Sequence, residues 1–263
     1  MSKNKYTKII EGIFFKHYKE GDSQVTFERE EIGNISNKLD INPPKNYGDL
    51  IYSFRFRYPL PESIREKAPE NMDWVIKLSG RGTYIFQLTT MAKIEPNNQL
   101  IHTKILDSTP GLIEKYAMSD EQALLAKIRY NRLIDTFTGI TCYSLQNHLR
   151  TTVPDMGQVE TDEIYVGVDK KGIQYILPVQ AKGGDDKLGI VQIEQDLEIC
   201  KDKFPNLEAR AIAAQFMADD IIALFEFEEN EEEIGIVEEK HYKLVNPASL
   251  SEEEIQKYRK RVE

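Results

Sequence analysis

At 263 residues, with 40% hydrophobic and 30% charged side chains, the chain is long enough to bury a sizeable core as one large or two modest domains. No apolar run reaches the length of a bilayer span and the first residues, MSKNKYTK, carry no hydrophobic signal segment, so a cytoplasmic location without a membrane partner is expected. The net charge of -10 argues against indiscriminate coating of nucleic acid but leaves room for a local basic cleft, because acid is gathered in runs such as 226–233.

Tyr6, Ile9, Ile10, Ile13, Phe14 and His17 recur at helical spacing. They predict a first helix to about Lys19, stopped by Gly21, with His17 closing the apolar stripe rather than binding metal. A short strand at 25–27 precedes a second helix with Ile32, Ile35 and Leu39 inward, and Pro43-Pro44 then breaks the chain. A third helix from about Lys45 buries Tyr47, Leu50, Ile51 and Phe54 and leaves Lys45, Asn46, Ser53, Arg55 and Arg57 outside. Beyond a proline-containing loop, 74–78 and 83–88 read as a hairpin about Ser79-Gly80-Arg81-Gly82. This order resembles a winged helix. The resemblance implies a major-groove helix over 45–57, with Lys45, Asn46, Arg55 and Arg57 as DNA contacts and Arg81 at the wing tip over a phosphate. The other reading of the same elements is a small α+β scaffold that packs on the second domain or mediates dimerisation.

Residues 89–118 read as a connector. Ser119 followed by Gln122 is a capping-box start, and Ala123, Ala126, Tyr130, Leu133, Ile134 and Phe137 form a stripe ending before Gly139. Lys127, Arg129 and Arg132 lie on the solvent side of that helix. The segment 142–153 is a strand or irregular approach in which His148 has no catalytic partner pattern. Cys142 and Cys200 form no metal spacing and read as reduced thiols.

Residues 157–184 read as two strands joined by the turn Asp169-Lys170-Lys171-Gly172, whose glycine takes a positive φ at a G1 bulge. With Asp169 facing Ile173, Asp162 lies opposite Gln180 and Glu160 opposite Lys182, all four on one face. The rest of the hairpin is apolar on both faces, as expected of covered central strands. Such a polar end is costly in a core and becomes reasonable where the strands open into a cleft. There Asp162, the Gln180 amide oxygen and the Ala181 carbonyl suit a hard divalent cation, and the Lys182 ammonium suits an anion. The plainer alternative is a surface ion pair between Asp162 and Lys182 on an edge hairpin.

An acidic residue, β-turn-β and then acid-x-Lys resembles the PD-(D/E)XK nuclease superfamily, to which many type II restriction endonucleases and phage-defence nucleases belong. The pattern covers roughly 119–215. Asp162 matches the strand aspartate and Lys182 the lysine, while Gln180 departs from the usual Glu or Asp, with Glu160 a candidate for the missing charge. Pro154-Asp155 is discounted as the motif aspartate because it precedes the paired strand. The resemblance implies an α/β fold with a mixed central sheet flanked by helices, hydrolysis of double-stranded DNA with Mg²⁺ or Mn²⁺, Glu121 as a further metal ligand, and a homodimer. After Lys182, 183–186 make a turn. Ile190, Ile193, Leu197, Cys200 and Phe204 define a helix with Gln192 and Gln195 in its first turns. Strands follow at 209–216, 221–227 and 234–237, then a capped helix over 251–261. The expected organisation is an N-terminal domain over 1–104 and a nuclease domain over 105–263. Two other functions fit the same residues: a non-catalytic DNA-binding regulator, favoured by Gln180, and an RNA or structure-specific nuclease.

Overall fold

The computed structural model describes residues 2–90, 92–116, 121–154, 156–183, 188–229 and 234–260, so Ser119, Asp155 and the 184–186 part of the predicted turn lie outside the described residues. The chain divides into two compact units, one of residues 1–94 with 150–159 and 189–195, the other of 95–149, 160–188 and 196–263.

The first unit contains α1 (Ser2–His17), β1 (Gln24–Glu28), α2 (Glu31–Lys38), α3 (Tyr47–Tyr52), α4 (Glu62–Arg65), β2 (Asp73–Leu78), β3 (Thr83–Thr89) and the short β4 (Lys93–Ile94). Three strands form an antiparallel sheet in the order β1-β3-β2. Its apolar face meets Ile9, Ile10, Ile13 and Phe14 of α1 in one core. Phe14 sits edge-on to both Trp74 and Phe86, with ring centroids 5.1 Å away in each case. Gly80 and Gly82 take positive φ in the β2–β3 turn, which side chains with a Cβ adopt only under strain.

One expectation about this unit fails. The third helix continues as a π-helix over Ser53–Arg57, closed by a Tyr58 N–H to Ser53 O bond of 2.8 Å. The wider i→i+5 turn rotates successive side chains less than an α-helix does and changes which of them face out. Ser53, expected outside, is buried and donates to Asp49 O at 2.6 Å. Arg55 also points inward, its Nε enclosed, and burial lowers its pKa to about 10 against the opposing pull of Tyr84 and Glu194.

Beyond β4 the chain forms β5 (His102–Leu106), α5 (Gly111–Tyr116), α6 (Glu121–Tyr130), α7 (Leu133–Thr138), β6 (Thr141–Val153), β7 (Gly157–Val168), β8 (Gln174–Lys182), β9 (Leu188–Gly189), α8 (Ile190–Lys203), β10 (Glu208–Ala209), β11 (Ala211–Phe216), β12 (Ile221–Glu229), β13 (Ile234–Val245) and α9 (Glu252–Tyr258), of which 150–153, 157–159 and 189–195 fall in the first unit and the rest in the second. Seven strands run in the order β5-β13-β12-β11-β8-β7-β6, and β10 joins beside β8. The sheet is mixed: β8/β11 and β13/β5 are parallel, β7/β8, β11/β12 and β12/β13 antiparallel. Leu124, Leu125 and Ile128 of α6 and Leu133, Ile134 and Phe137 of α7 cover one face through Leu177, Val179, Ile212 and Leu224. On the other, Asp196 of α8 is tied to Gln180 of β8. The class is thus the expected α/β one, a large mixed central sheet flanked by helices.

The details differ in three places. The expected connector holds β5, which completes the sheet edge beside β13. The single helix expected over 119–137 breaks at Arg132, whose φ of 49° ends α6 and restarts the chain as α7. The last long strand runs to Val245 rather than 237, its charged run 238–240 leading to buried His241, Tyr242 and Val245. The C-terminal helix is capped as expected, by a Ser251–Glu254 capping box, and Lys104 of β5 secures it through Glu254 at 2.6 Å and through its N–H to Tyr258 Oη at 3.0 Å. No helix among the described residues is long and apolar enough to cross a membrane.

Glu31 at the start of α2 offers a stability test within the first unit. Lys16, His17 and the Glu28 N–H all converge on its carboxylate. Burial alone would raise its pKa, and these three partners bring it down to about 2. A folded-state pKa below the unfolded one gives stability that is complete above the unfolded value near 4.5 and is lost as pH falls towards 2. Glu31→Gln should therefore cost about 1–3 kcal/mol at neutral pH, a charged hydrogen-bond network being lost. Urea titrations should show this difference shrinking to nothing near pH 2.

Candidate active site

The β7–β8 hairpin sets the geometry. Asp169 Oδ1 accepts from the Lys171 and Ile173 N–H groups at 2.8 and 2.9 Å, Gly172 donates to Asp169 O at 3.0 Å, and Gly172 takes φ 86°, as the turn requires. From there the pairing runs Val168↔Gln174 through Glu163↔Val179 without a slip. This is the expected register. Gly167 lies close against β6 in it: a Cβ there would stand 2.6 Å from Ile140 Cγ2 and 3.0 Å from Cys142 Sγ, so a larger residue would force these side chains to shift.

Past Glu163↔Val179 the cross-strand bonds pass from backbone to side chains. Ala181 N–H donates to Asp162 Oδ2 at 2.8 Å, Thr161 Oγ1 to Val179 O at 3.5 Å, and Gln180 Nε2 to Glu160 O at 3.3 Å. Here the polar residues meet. Lys182, largely buried, reaches Glu121 Oε1 at the start of α6 at 2.6 Å. Burial pushes the Asp162 carboxyl above its ordinary value, the Ala181 N–H and Lys182 pull it down, Glu121 pushes it up and His148 pulls it down, and the net shift is upward. A carboxylate in this state gains most from an added cation.

Two residues expected in the ligand set also have partners outside it. The Gln180 side chain is 2% exposed, and its amide nitrogen also donates to Asp196 Oδ1 at 3.0 Å. Asp196 is fully buried, and burial raises its pKa well above the ordinary value although Gln180 and Thr161 oppose the shift. Glu160, expected to lend the second negative charge, has Oε1 2.8 Å from His148 Nε2. The second carboxylate beside Lys182 is Glu121. Among the described residues no group of three or more His, Cys, Asp and Glu side chains could hold a metal ion. The donor chemistry nevertheless fits a hard divalent cation: Asp162 and Glu121 offer anionic oxygens and Ala181 a carbonyl, with the remaining positions left to water.

Sequence reasoning missed Asp196 and the partnership of His148. Asp196 was legible in one respect, because it stands three residues after Ile193 and four before Cys200, on the apolar stripe of α8. His148 was not, because its φ of 56° interrupts the alternation of β6 on which a facing argument depends.

The residues proposed to contact DNA separate into two groups. Lys45, Arg57 and Arg81 are exposed, Arg57 lying over the Tyr52 ring at 4.9 Å and Arg81 in the β2–β3 turn. Asn46 caps α3, its Oδ1 accepting from Gly48 N at 2.9 Å, and Arg55 is directed inward.

Asp196 yields a pH prediction. A carboxyl whose folded pKa is raised loses stability as pH climbs from its unfolded value through the folded one, since only the folded state keeps the proton. Asp196→Asn, uncharged and close in shape, should melt higher than the parent at pH 8, with the gap closing towards pH 4 in thermal scans. Comparison with protein-family models, curated proteins and solved structures found no match to this chain.

Proposed function

We propose that this chain is a metal-dependent DNA endonuclease of the restriction or phage-defence type, with a restriction-endonuclease-like core in its second unit and a winged-helix DNA-binding module in its first. The observation that carries the reading is Lys182, mostly buried at the carboxyl end of β8, 2.6 Å from Glu121 and acting on the charge of Asp162. An ammonium paired with one carboxylate and acting on a second, at the ends of the parallel strands β8 and β11, is a place for an anion with a cation beside it. In the first unit, the helix–strand–helix–helix–hairpin order, the sheet order β1-β3-β2 and the exposed Lys45, Arg57 and Arg81 support the winged-helix reading.

Asp162, Glu121 and the Ala181 carbonyl would hold Mg²⁺ or Mn²⁺, which supplies a more acidic water and positive charge beside the phosphodiester. Asp162 is fixed for this by the Ala181 N–H. Lys182 donates to a non-bridging phosphate oxygen, where charge grows as water adds in line, and Glu121 keeps its Nζ in place. The expected substrate is double-stranded DNA and the expected working form a homodimer with one site per strand. A second reading, a DNA-binding regulator without catalysis, is favoured by Gln180 bringing an uncharged amide to this position, its nitrogen tied to Asp196. Plasmid incubated with purified protein in Mg²⁺ or EDTA separates the two: nicking or linearisation in Mg²⁺ alone supports the nuclease, and binding without cleavage supports the regulator.

Lys182→Ala should abolish cleavage while DNA affinity stays within about ten-fold, because the ammonium acts mainly in the transition state. Cleavage at near the parent rate would remove Lys182 from the reaction. Glu121→Gln should raise the Mg²⁺ concentration that half-saturates cleavage, and an unchanged titration would leave Glu121 as a partner of Lys182 only.

The DNA-contact assignment is tested by salt dependence. Arg57→Ala and Arg81→Ala should each weaken binding and make the log K against log salt slope shallower by about one unit if they meet phosphates. Arg55→Ala should act through stability instead, visible as a lower melting temperature. Unchanged affinity in both surface variants would favour the α+β scaffold over the winged helix.

A further inference from the structure

Among the described residues six other than glycine hold a positive φ, and five of them lie in turns, at a helix break or in a 3-10 turn. The sixth, His148 at φ 56°, stands inside β6. A left-handed residue within a strand interrupts its alternation and is a costly feature of the kind that collects at working sites. The His148 side chain is 61% exposed, and its Nε2 lies 2.8 Å from Glu160 Oε1 on the neighbouring strand β7. Glu160 is anchored in turn through its backbone, where its carbonyl accepts from Gln180 Nε2 at 3.3 Å. The kink in β6 thus delivers an imidazole to a carboxylate while keeping it open to solvent.

This pair borders the Lys182 cluster. Glu160 precedes Asp162 by two residues on β7, a backbone separation of ~7 Å. The charge of His148 reaches the Asp162 carboxyl and pulls its pKa down. A carboxylate on Nε2 fixes the orientation of the ring and leaves Nδ1 as the nitrogen that meets a ligand. In a phosphodiester under attack by water, the entering and leaving oxygens lie in line on opposite sides of phosphorus. A span of ~7 Å leaves room for one such group between the Asp162 end, where a cation and Lys182 act, and the imidazole. The Lys182 cluster supplies positive charge and an acceptor for water, but no proton for the oxygen that departs. His148 is the side chain beside it that can give one.

We propose that His148 is the general acid of the hydrolysis, passing its Nδ1 proton to the leaving oxygen of the phosphodiester, and that Glu160 positions its ring. The inference rests on the nuclease reading. In this step a water oxygen bonds to phosphorus and releases one proton to solvent. The bond from phosphorus to the leaving oxygen breaks, its electron pair stays on that oxygen, and the imidazolium proton completes the alcohol. Solvent then returns a proton to the imidazole.

The test compares ordinary duplex DNA with duplexes in which sulfur replaces the 3′ or the 5′ bridging oxygen of the cleaved bond, because a thiolate departs without a proton. His148→Asn suits the position, since asparagine tolerates the left-handed backbone, and it should keep the parent melting temperature. It should slow cleavage of ordinary DNA about a hundred-fold or more, and that of one sulfur-bridged duplex by less than about five-fold. Glu160→Gln should show a smaller loss with the same relief, and the Mg²⁺ concentration that half-saturates cleavage should not change. Lys182→Ala, acting on a non-bridging oxygen, should be impaired alike on all three substrates. If the parent cleaves and His148→Asn is slowed equally on every substrate, or on none, His148 is not the acid while the nuclease reading stands. A raised Mg²⁺ requirement in Glu160→Gln overturns the positioning role and makes Glu160 a ligand. A parent that cleaves no substrate removes the nuclease reading and this proposal together.

Discussion

The second unit depends on the point where β7 leaves β8. Up to Glu163↔Val179 the two strands hold each other by backbone pairing, and one residue later the Asp162 carboxylate takes over by accepting the Ala181 N–H. That exchange keeps a buried donor satisfied while the strands separate, and it fixes a carboxylate at the mouth of the opening. Asp162 is consequently both a structural member of the hairpin and a carboxylate on whose charge Lys182 acts. The same exchange fills the gap behind it: Thr161, Gln180 and Asp196 close the space between hairpin and α8 with hydrogen bonds rather than methyl groups. A polar interior of this kind specifies one arrangement of helix on sheet, because every misplacement leaves a buried donor unmet.

Much of this was legible in the amino-acid order, for physical reasons. A strand repeats every two residues, so a single well-placed turn glycine, Gly172, propagates its register along the whole hairpin. The stripe of α1 and the cap of α9 were equally readable, one from apolar spacing and the other from Ser251. What escaped has a common cause. The strand β5 is short and half-exposed, and the charged run 238–240 hides the pairing of β13, so neither shows the alternation that marks a strand. The helix expected over 119–137 keeps its apolar period across Arg132, and periodicity is blind to one residue turning left-handed.

Side-chain partnerships lay furthest beyond the sequence. Alternation places Glu160, Asp162, Gln180 and Lys182 on one face, but the choice of partner is made by elements remote in the chain. Lys182 meets Glu121 from 61 residues away, Glu160 meets His148, and Gln180 turns to Asp196. In the first unit the π-turn at Ser53–Arg57 does the same to a helical wheel, moving Arg55 from the predicted surface to the interior. Such local departures from ideal pitch decide which of several similar charges remains available to a ligand.

The parallel pairing of β5 with β13 also fixes an order of events at the ribosome. Leu106 pairs with Val245, so the edge of the large sheet closes only after residue 245 has emerged. The α1–β3 segment, by contrast, contains its own sheet and most of the contacts of its core within the first ninety residues. The N-terminal segment can therefore begin to fold while the strands of the second unit are still waiting for their last neighbour. During that interval β12 has an open edge rich in phenylalanine, and the glutamates that punctuate β12 and the acidic stretch after it keep that edge charged against pairing with other chains.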